Sequence, residues 1–92
     1  MINFEVRKSF IKDLKSLKGS SYYDRIKTFV FNELPTIKAF EEIRGIKKLK
    51  GFKNYYRIKI GNYRMGITRQ NDTLIIERVL HRKDIYQHFP SK

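Results

Sequence analysis

Residues 54–69 read NYYRIKIGNYRMGITR, with apolar and polar side chains alternating on both sides of Gly61-Asn62. A period of two is the mark of a half-buried strand, and a two-residue loop containing glycine is a strong short-range hairpin signal. With Gly61 and Asn62 as the loop, Ile60 faces Tyr63, Ile58 faces Met65 and Tyr56 faces Ile67. That set is apolar. The other face carries Tyr55, Arg57 and Lys59 from one strand and Arg64, Gly66 and Thr68 from the next, so Lys59 stands across from Arg64. A slip of one residue would exchange the two faces, which makes this stretch the strongest constraint on the fold.

The remaining elements follow from the same kind of pattern. Strands are expected at 54–60, 63–69 and 73–80, the last after a turn at Asn71-Asp72. INFEV (2–6) reads as a first strand. Ser9 is placed as the N-cap of a helix over FIKDLKSLK, where Phe10, Ile11, Leu14 and Leu17 recur at helical spacing before Gly19. Ser21 with Asp24 resembles a capping box opening a second helix over 21–34, with Tyr23, Ile26, Val30 and Leu34 in one stripe and Pro35 as its stop. TIKAFEEI (36–43) reads as a short helix or irregular turn, RGIKKLKGFK (44–53) as a solvated loop, and HRKDIYQHF as a last helical turn before Pro90. The order is β-α-α-β-β-β. It predicts one α+β domain over 1–92, an antiparallel sheet with a helical hairpin on one face.

Charge narrows the function. Twenty-one Lys and Arg stand against nine Asp and Glu, a net +12 with a pI near 10.1. Residues 1–43 contribute eight basic and six acidic side chains, whereas residues 44–92 contribute thirteen and three. Such a concentration points to a polyanion-binding face, with nucleic acid as the first candidate. There is no cysteine, which excludes disulfides and thiolate metal sites. With no signal-peptide pattern and no apolar run of membrane-spanning length, a cytosolic protein without membrane contact is expected.

Like charges directly opposite on a sheet face cost a few tenths to ~1 kcal/mol. An anion seated between Lys59 and Arg64 turns that cost into binding, and Gly66, opposite Arg57, leaves room for its approach. RNA cleavage through the 2′-hydroxyl needs a proton acceptor, cations for the phosphorane and an acid for the departing 5′-oxygen. Arginine suits the second role, lysine the first or second, and His81 offers an imidazole, the side chain suited to either proton transfer. Tyr86 suits stacking or proton donation. Lys47, Lys48, Lys50, Lys53, Tyr55 and Lys83 complete the expected RNA-binding surface. Glu77 is the one acid in the last strand, and pairing with Arg64 or Arg57 would blunt the site. His81, Asp84 and His88 would share a helix face, but without a fourth ligand they make a poor metal site, so neither metal nor cofactor is expected.

The motifs KLKG-x3-YYRIKIGNYRMGI (48–67) and VLHRKDIYQHF (79–89) resemble the RelE/ParE superfamily of toxins from bacterial toxin–antitoxin modules, on the RelE side. The resemblance implies a sheet with two packed helices and metal-independent cleavage of mRNA in the ribosomal A site, with 16S rRNA contacts. It assigns the functional lysines of the second strand to Arg57 and Lys59, and the arginine of the GYR-like motif to Arg64. The following basic residue falls at His81 or Arg82, and the tyrosine at Tyr86. Arginine at 57 leaves Lys59 or His81 as the base. A cognate antitoxin that masks the basic surface is also implied. Two other readings share the fold, a ParE-like inhibitor of DNA gyrase and a degenerate member that binds only RNA or antitoxin.

Overall fold

The structure is a computed structural model that describes residues 3–90. Ile2, at the start of the expected first strand, lies outside them, as do both extremes of the expected 1–92 domain. Strands β1 (Asn3–Val6), β2 (Ile46–Lys48), β3 (Tyr55–Ile60), β4 (Tyr63–Gln70) and β5 (Thr73–His81) form one sheet in the order β1-β5-β4-β3-β2. Helices α1 (Lys8–Lys15) and α2 (Ser21–Thr28) follow β1, and α3 (Ile85–His88) closes the chain. The α+β class and the helix pair are as expected. The sheet is mixed, because β1 pairs with β5 in parallel while the other neighbours are antiparallel.

The hairpin has the register read from its alternation: Ile60 pairs with Tyr63, Lys59 with Arg64, Ile58 with Met65, and Arg57 with Gly66. Gly61 has φ +57, so a left-handed residue opens the two-residue loop. A Cβ at Gly61 would lie 2.4 Å from the Tyr22 ring, so glycine is required twice over. The apolar row of the hairpin joins Phe10, Leu14, Ile26, Val30, Leu34, Leu74, Ile76 and Val79 in the main core beneath the helices. β5 lies between β1 and β4, and its consecutive Leu74, Ile75 and Ile76 are all buried. Such a run needs apolar cover on both faces of the sheet.

Several local expectations are corrected. Ser9 is not a helix cap: its Oγ donates to the Glu77 carbonyl at 2.6 Å, and Arg7 occupies the N-cap position of α1. Ser20, not Ser21, caps α2, its Oγ accepting from the Tyr22 N–H at 3.1 Å. The second helix does not run evenly to Leu34. It widens into a π-turn at Phe29–Glu33 and tightens into a 3-10 turn at Leu34–Thr36 that contains Pro35. TIKAFEEI yields a 3-10 turn at Phe40–Glu42. The expected loop at 44–53 contains β2, a three-residue edge strand. Its two exposed lysines hid the period, and lysine is a usual way to protect a sheet edge.

Beyond Val6, β1 ends, and α1 takes over the edge of β5. The Ser9 hydroxyl serves one carbonyl there, and the Asp13 carboxylate accepts from the Val79 N–H at 3.1 Å. Asp13 is 8% exposed and also receives both arms of the Arg78 guanidinium, at 2.7 and 3.0 Å. The hydrogen bond to Asp13 raises the Arg78 pKa above its ordinary value, against an opposing effect of burial. Helix α1 therefore substitutes for a neighbouring strand, through one carboxylate that meets a backbone donor and a cation together. Asp13→Ala is expected to destabilise the fold by roughly 3 kcal/mol, because it orphans a buried N–H and an arginine. Asp13→Asn should cost less, since its amide oxygen still accepts from Val79. Urea-unfolding midpoints of the two variants measure the difference.

Candidate nucleic-acid interface

The sheet face opposite the main core carries the cations. Strand pairing places Lys59 directly across from Arg64, and β2 adds Lys47 directly across from Arg57. Two like-charged pairs thus lie on adjacent strands, and residues 44–71 contain no acid. Among the described residues the one ion pair is Asp13–Arg78, on the β5 edge. Glu77 does not reach either arginine. It sits where a bulge shifts the β4–β5 register, and its Oε2 accepts from the Thr68 hydroxyl at 2.8 Å.

The arginines are oriented by backbone carbonyls. Arg57 Nη1 donates to Gly45 O at 2.9 Å. Arg64 Nη1 donates to Gly61 O at 2.8 Å and to Tyr63 O at 3.1 Å. A guanidinium has five N–H donors, so each keeps several for an anion while its direction is set. Lys59 is exposed and its ammonium has no hydrogen-bonded partner among the described residues. Chemically the group can hold a phosphate through arginines oriented by carbonyls beside an exposed amine.

One feature of the expected cradle is corrected. Gly66 leaves no space for a ligand, because the Phe89 ring lies on it: a Cβ at Gly66 would come within 2.5 Å of that ring. Phe89 and Ile85 are buried on this face with Ile75, a small second core that anchors α3 to the sheet. The glycine therefore serves packing of the C-terminal segment, and the anion seat narrows to the Lys59–Arg64 end of the hairpin.

The other sequence candidates divide by position. His81 pairs with Tyr63, whose ring it meets edge-on at 5.6 Å, and Tyr63 in turn meets Tyr22 at 5.0 Å. This puts the imidazole on the helix side of the sheet, away from Lys59 and Arg64. Its Nδ1 accepts from the Lys83 N–H at 3.1 Å, which leaves Nε2 to carry the proton. Because His81 ends β5, it does not share a helix face with Asp84 and His88. Arg82 donates its backbone N–H to Asn62 O at 2.8 Å, so it lies at the hairpin tip with its side chain exposed. Tyr86 is 56% exposed on α3. Lys50, Lys53 and Lys83 are exposed, Lys48 is opposite Tyr56 on the helix side, and Tyr55 is half-buried against the rings of Phe52 and Phe89. Sequence reasoning passed over Phe52 and Phe89. The signal for Phe52 was available, as a lone aromatic inside KLKGFK; that for Phe89 was not, since only the fold brings it to Gly66.

Comparisons with known proteins bear on the family and the fold. The profile of the family described as "ParE toxin of type II toxin-antitoxin system, parDE" matches residues 4–86. Toxin RelE3 of Methanocaldococcus jannaschii is 48% identical over 84 residues, which span 90% of this chain and 93% of that protein. The toxin fold in the RelB-RelE antitoxin-toxin complex from Methanococcus jannaschii superposes with a TM-score of 0.75 at 45% identity, covering 92% of this chain and 98% of that one. At 23% identity, a chain of the RelBE2 toxin-antitoxin complex from Mycobacterium tuberculosis has the same fold, with a TM-score of 0.66 over 88% of this chain and 98% of that one.

The seating of Phe89 on Gly66 is open to test. Gly66→Ala is expected to push the ring out and destabilise the domain by about 1–3 kcal/mol, the usual range for overpacking. Faster amide exchange should accompany it at residues 85–89, and unchanged protection there would refute this account of the glycine.

Proposed function

The chain belongs to the RelE/ParE superfamily of type II toxin–antitoxin toxins, and we propose that it is an endoribonuclease that cleaves mRNA in the ribosomal A site. The observation that carries this reading is the Lys59–Arg64 pair, two cations held face to face with no acid to neutralise them. A purely structural hairpin would relieve that repulsion with alternating charges.

In the proposed reaction the 2′-oxygen attacks the adjacent phosphorus as Lys59, reacting as the unprotonated amine, takes its proton and becomes an ammonium beside the phosphorane. The bond from phosphorus to the 5′-oxygen breaks, leaving a 2′,3′-cyclic phosphate and a 5′-hydroxyl. Arg64 and Arg57, held by their carbonyls, stabilise the charge that develops on the phosphorane oxygens. Tyr86, on the helix packed against this face, protonates the departing oxygen, and Arg82 at the hairpin tip holds a flanking phosphate. The position of His81 across the sheet favours Lys59 as the base. The chemistry needs no metal or cofactor. The exposed Lys47, Lys48, Lys50, Lys53 and Lys83 suit rRNA and mRNA backbone, including 16S rRNA. A cognate antitoxin covers the same surface until it is removed, and the toxin acts in the cytoplasm.

The ParE description of the matching family favours a second reading, inhibition of DNA gyrase by binding. Mapping 5′ ends of cellular mRNA after induction without antitoxin separates the two. Codon-phased ends support cleavage on the ribosome, and growth arrest with intact mRNA removes the nuclease reading. On programmed ribosomes, Lys59→Ala and Arg64→Ala are each expected to slow single-turnover cleavage by roughly 10²–10³-fold. His81→Ala should slow it least of the three.

A further inference from the structure

The cationic face continues past Tyr55 into the turn between β2 and β3, where Phe52 is 45% exposed. Phe31 and Tyr86 are the other large exposed apolar side chains among the described residues, and neither lies within a lysine run. Lys50 and Lys53 flank Phe52, and a surface hollow of about 450 Å³ is lined by Lys48, Leu49, Lys50, Gly51, Phe52 and Lys53.

The ring is held in place from two sides. In the backbone, Leu49 N–H donates to Tyr55 O at 2.8 Å, Phe52 N–H to Leu49 O at 3.3 Å, and Arg69 N–H to Asn54 O at 2.9 Å. Gly51 at φ +83 and Asn54 at φ +63 supply the tight bends. Among side chains, Phe52 meets Tyr55 at 5.8 Å and Tyr55 meets the buried Phe89 at 5.6 Å. Phe52 is thus the outer member of a row of three rings whose inner end is fixed in the second core. Little freedom is left for a ligand to remove.

We propose that Phe52 is a stacking platform for one base of single-stranded RNA, with Lys50 and Lys53 on the phosphates beside it. An aromatic ring among cations along a basic groove is the arrangement that binds single strands without reading sequence. A peptide ligand calls for a contiguous apolar strip, whereas three of the six residues lining this hollow, Lys48, Lys50 and Lys53, are lysines. Arg57 and Lys59 stand two and four residues along β3 from Tyr55, roughly 7 and 13 Å. Phe52 lies a further 5.8 Å from Tyr55, so the stacked base is a few nucleotides from the seat at Lys59 and Arg64, and the platform sets the register of the strand on the proposed active face. The proposal rests on the RNA reading for its class of ligand.

Fluorescence anisotropy with a labelled single-stranded RNA oligonucleotide, without ribosomes, tests it. Phe52→Ala and Phe52→Leu should each weaken binding roughly 5- to 150-fold with the salt slope unchanged. K50A and K53A should instead lower the slope by roughly 0.7 each. The chain contains no Trp, so F52W introduces a single indole. It should bind at least as tightly as the native chain, with its emission quenched by RNA, which separates loss of the π face from loss of the fold. Native-like affinity in F52A or F52L overturns the platform, as does weakened antitoxin capture with unchanged RNA affinity. Cleavage on programmed ribosomes is scored in parallel. Phe52-dependent binding in a native chain that cuts no mRNA upholds the platform and removes the nuclease reading. Cleavage by the native chain with RNA affinity indifferent to Phe52 does the reverse.

Discussion

Everything on the sheet depends on the two-residue loop at Gly61-Asn62. The side-chain period of a strand is two, so a loop longer or shorter by one residue would no longer leave Ile58, Met65 and Ile67 on one face: whichever strand turned over would carry Arg57 and Lys59, or Arg64, toward the core. The first three are at most 1% exposed. The loop length is held by more than the turn itself. Tyr22 of α2 closes on Gly61 so tightly that no Cβ fits, the Gly61 carbonyl accepts from Arg64, and the Asn62 carbonyl accepts from Arg82. The same few atoms join the helix pair, the cationic face and the segment after β5.

A second constraint acts at the far edge. β5 is longer than β1, and its last residues would present an unpaired strand edge, which invites pairing with another chain. Ser9 and Asp13 of α1 serve that edge with a hydroxyl and a carboxylate, and the bulge near Gly66 returns Val79 to the core after Glu77 has turned toward Thr68. Glu77 is engaged by Thr68 and makes no ion pair with Arg57 or Arg64 among the described residues.

What was legible in the sequence was local. Alternation on either side of a Gly-Asn pair predicts the hairpin, its register and the sorting of Arg57, Lys59 and Arg64 onto one face, because turn chemistry and period act over a few neighbours. Helix stripes such as Tyr23, Ile26 and Val30 were legible for the same reason. What escaped was decided by distant partners. Ser9 has the composition of a cap, yet its hydroxyl is taken by a carbonyl 68 residues away. β2 is too short for a period to show. Gly66 reads as open space until α3 folds back and sets Phe89 on it, and His81 reads as part of the basic cluster until strand pairing puts it beside Tyr63. A family resemblance carried the same blind spot, since it transfers residue types and not the faces on which they stand.

The two arginines illustrate how a site can be ordered without being neutralised. An acid beside Arg57 or Arg64 would fix the side chain more strongly, and charge-assisted pairs are the stronger hydrogen bonds. It would also cancel much of the potential that attracts a phosphate. A backbone carbonyl supplies direction with only a dipole, so the guanidinium keeps its full charge toward solvent. The cost is residual repulsion within the Lys47–Arg57 and Lys59–Arg64 pairs, a few tenths to ~1 kcal/mol each, small beside what a core of this size supplies. Asp13, the one acid that does form an ion pair among the described residues, is spent on the β5 edge, away from both cationic pairs. That separation follows from the chain's charge asymmetry: acids lie mainly in the N-terminal half, where the helices fold, and the second half carries most of the unopposed cations.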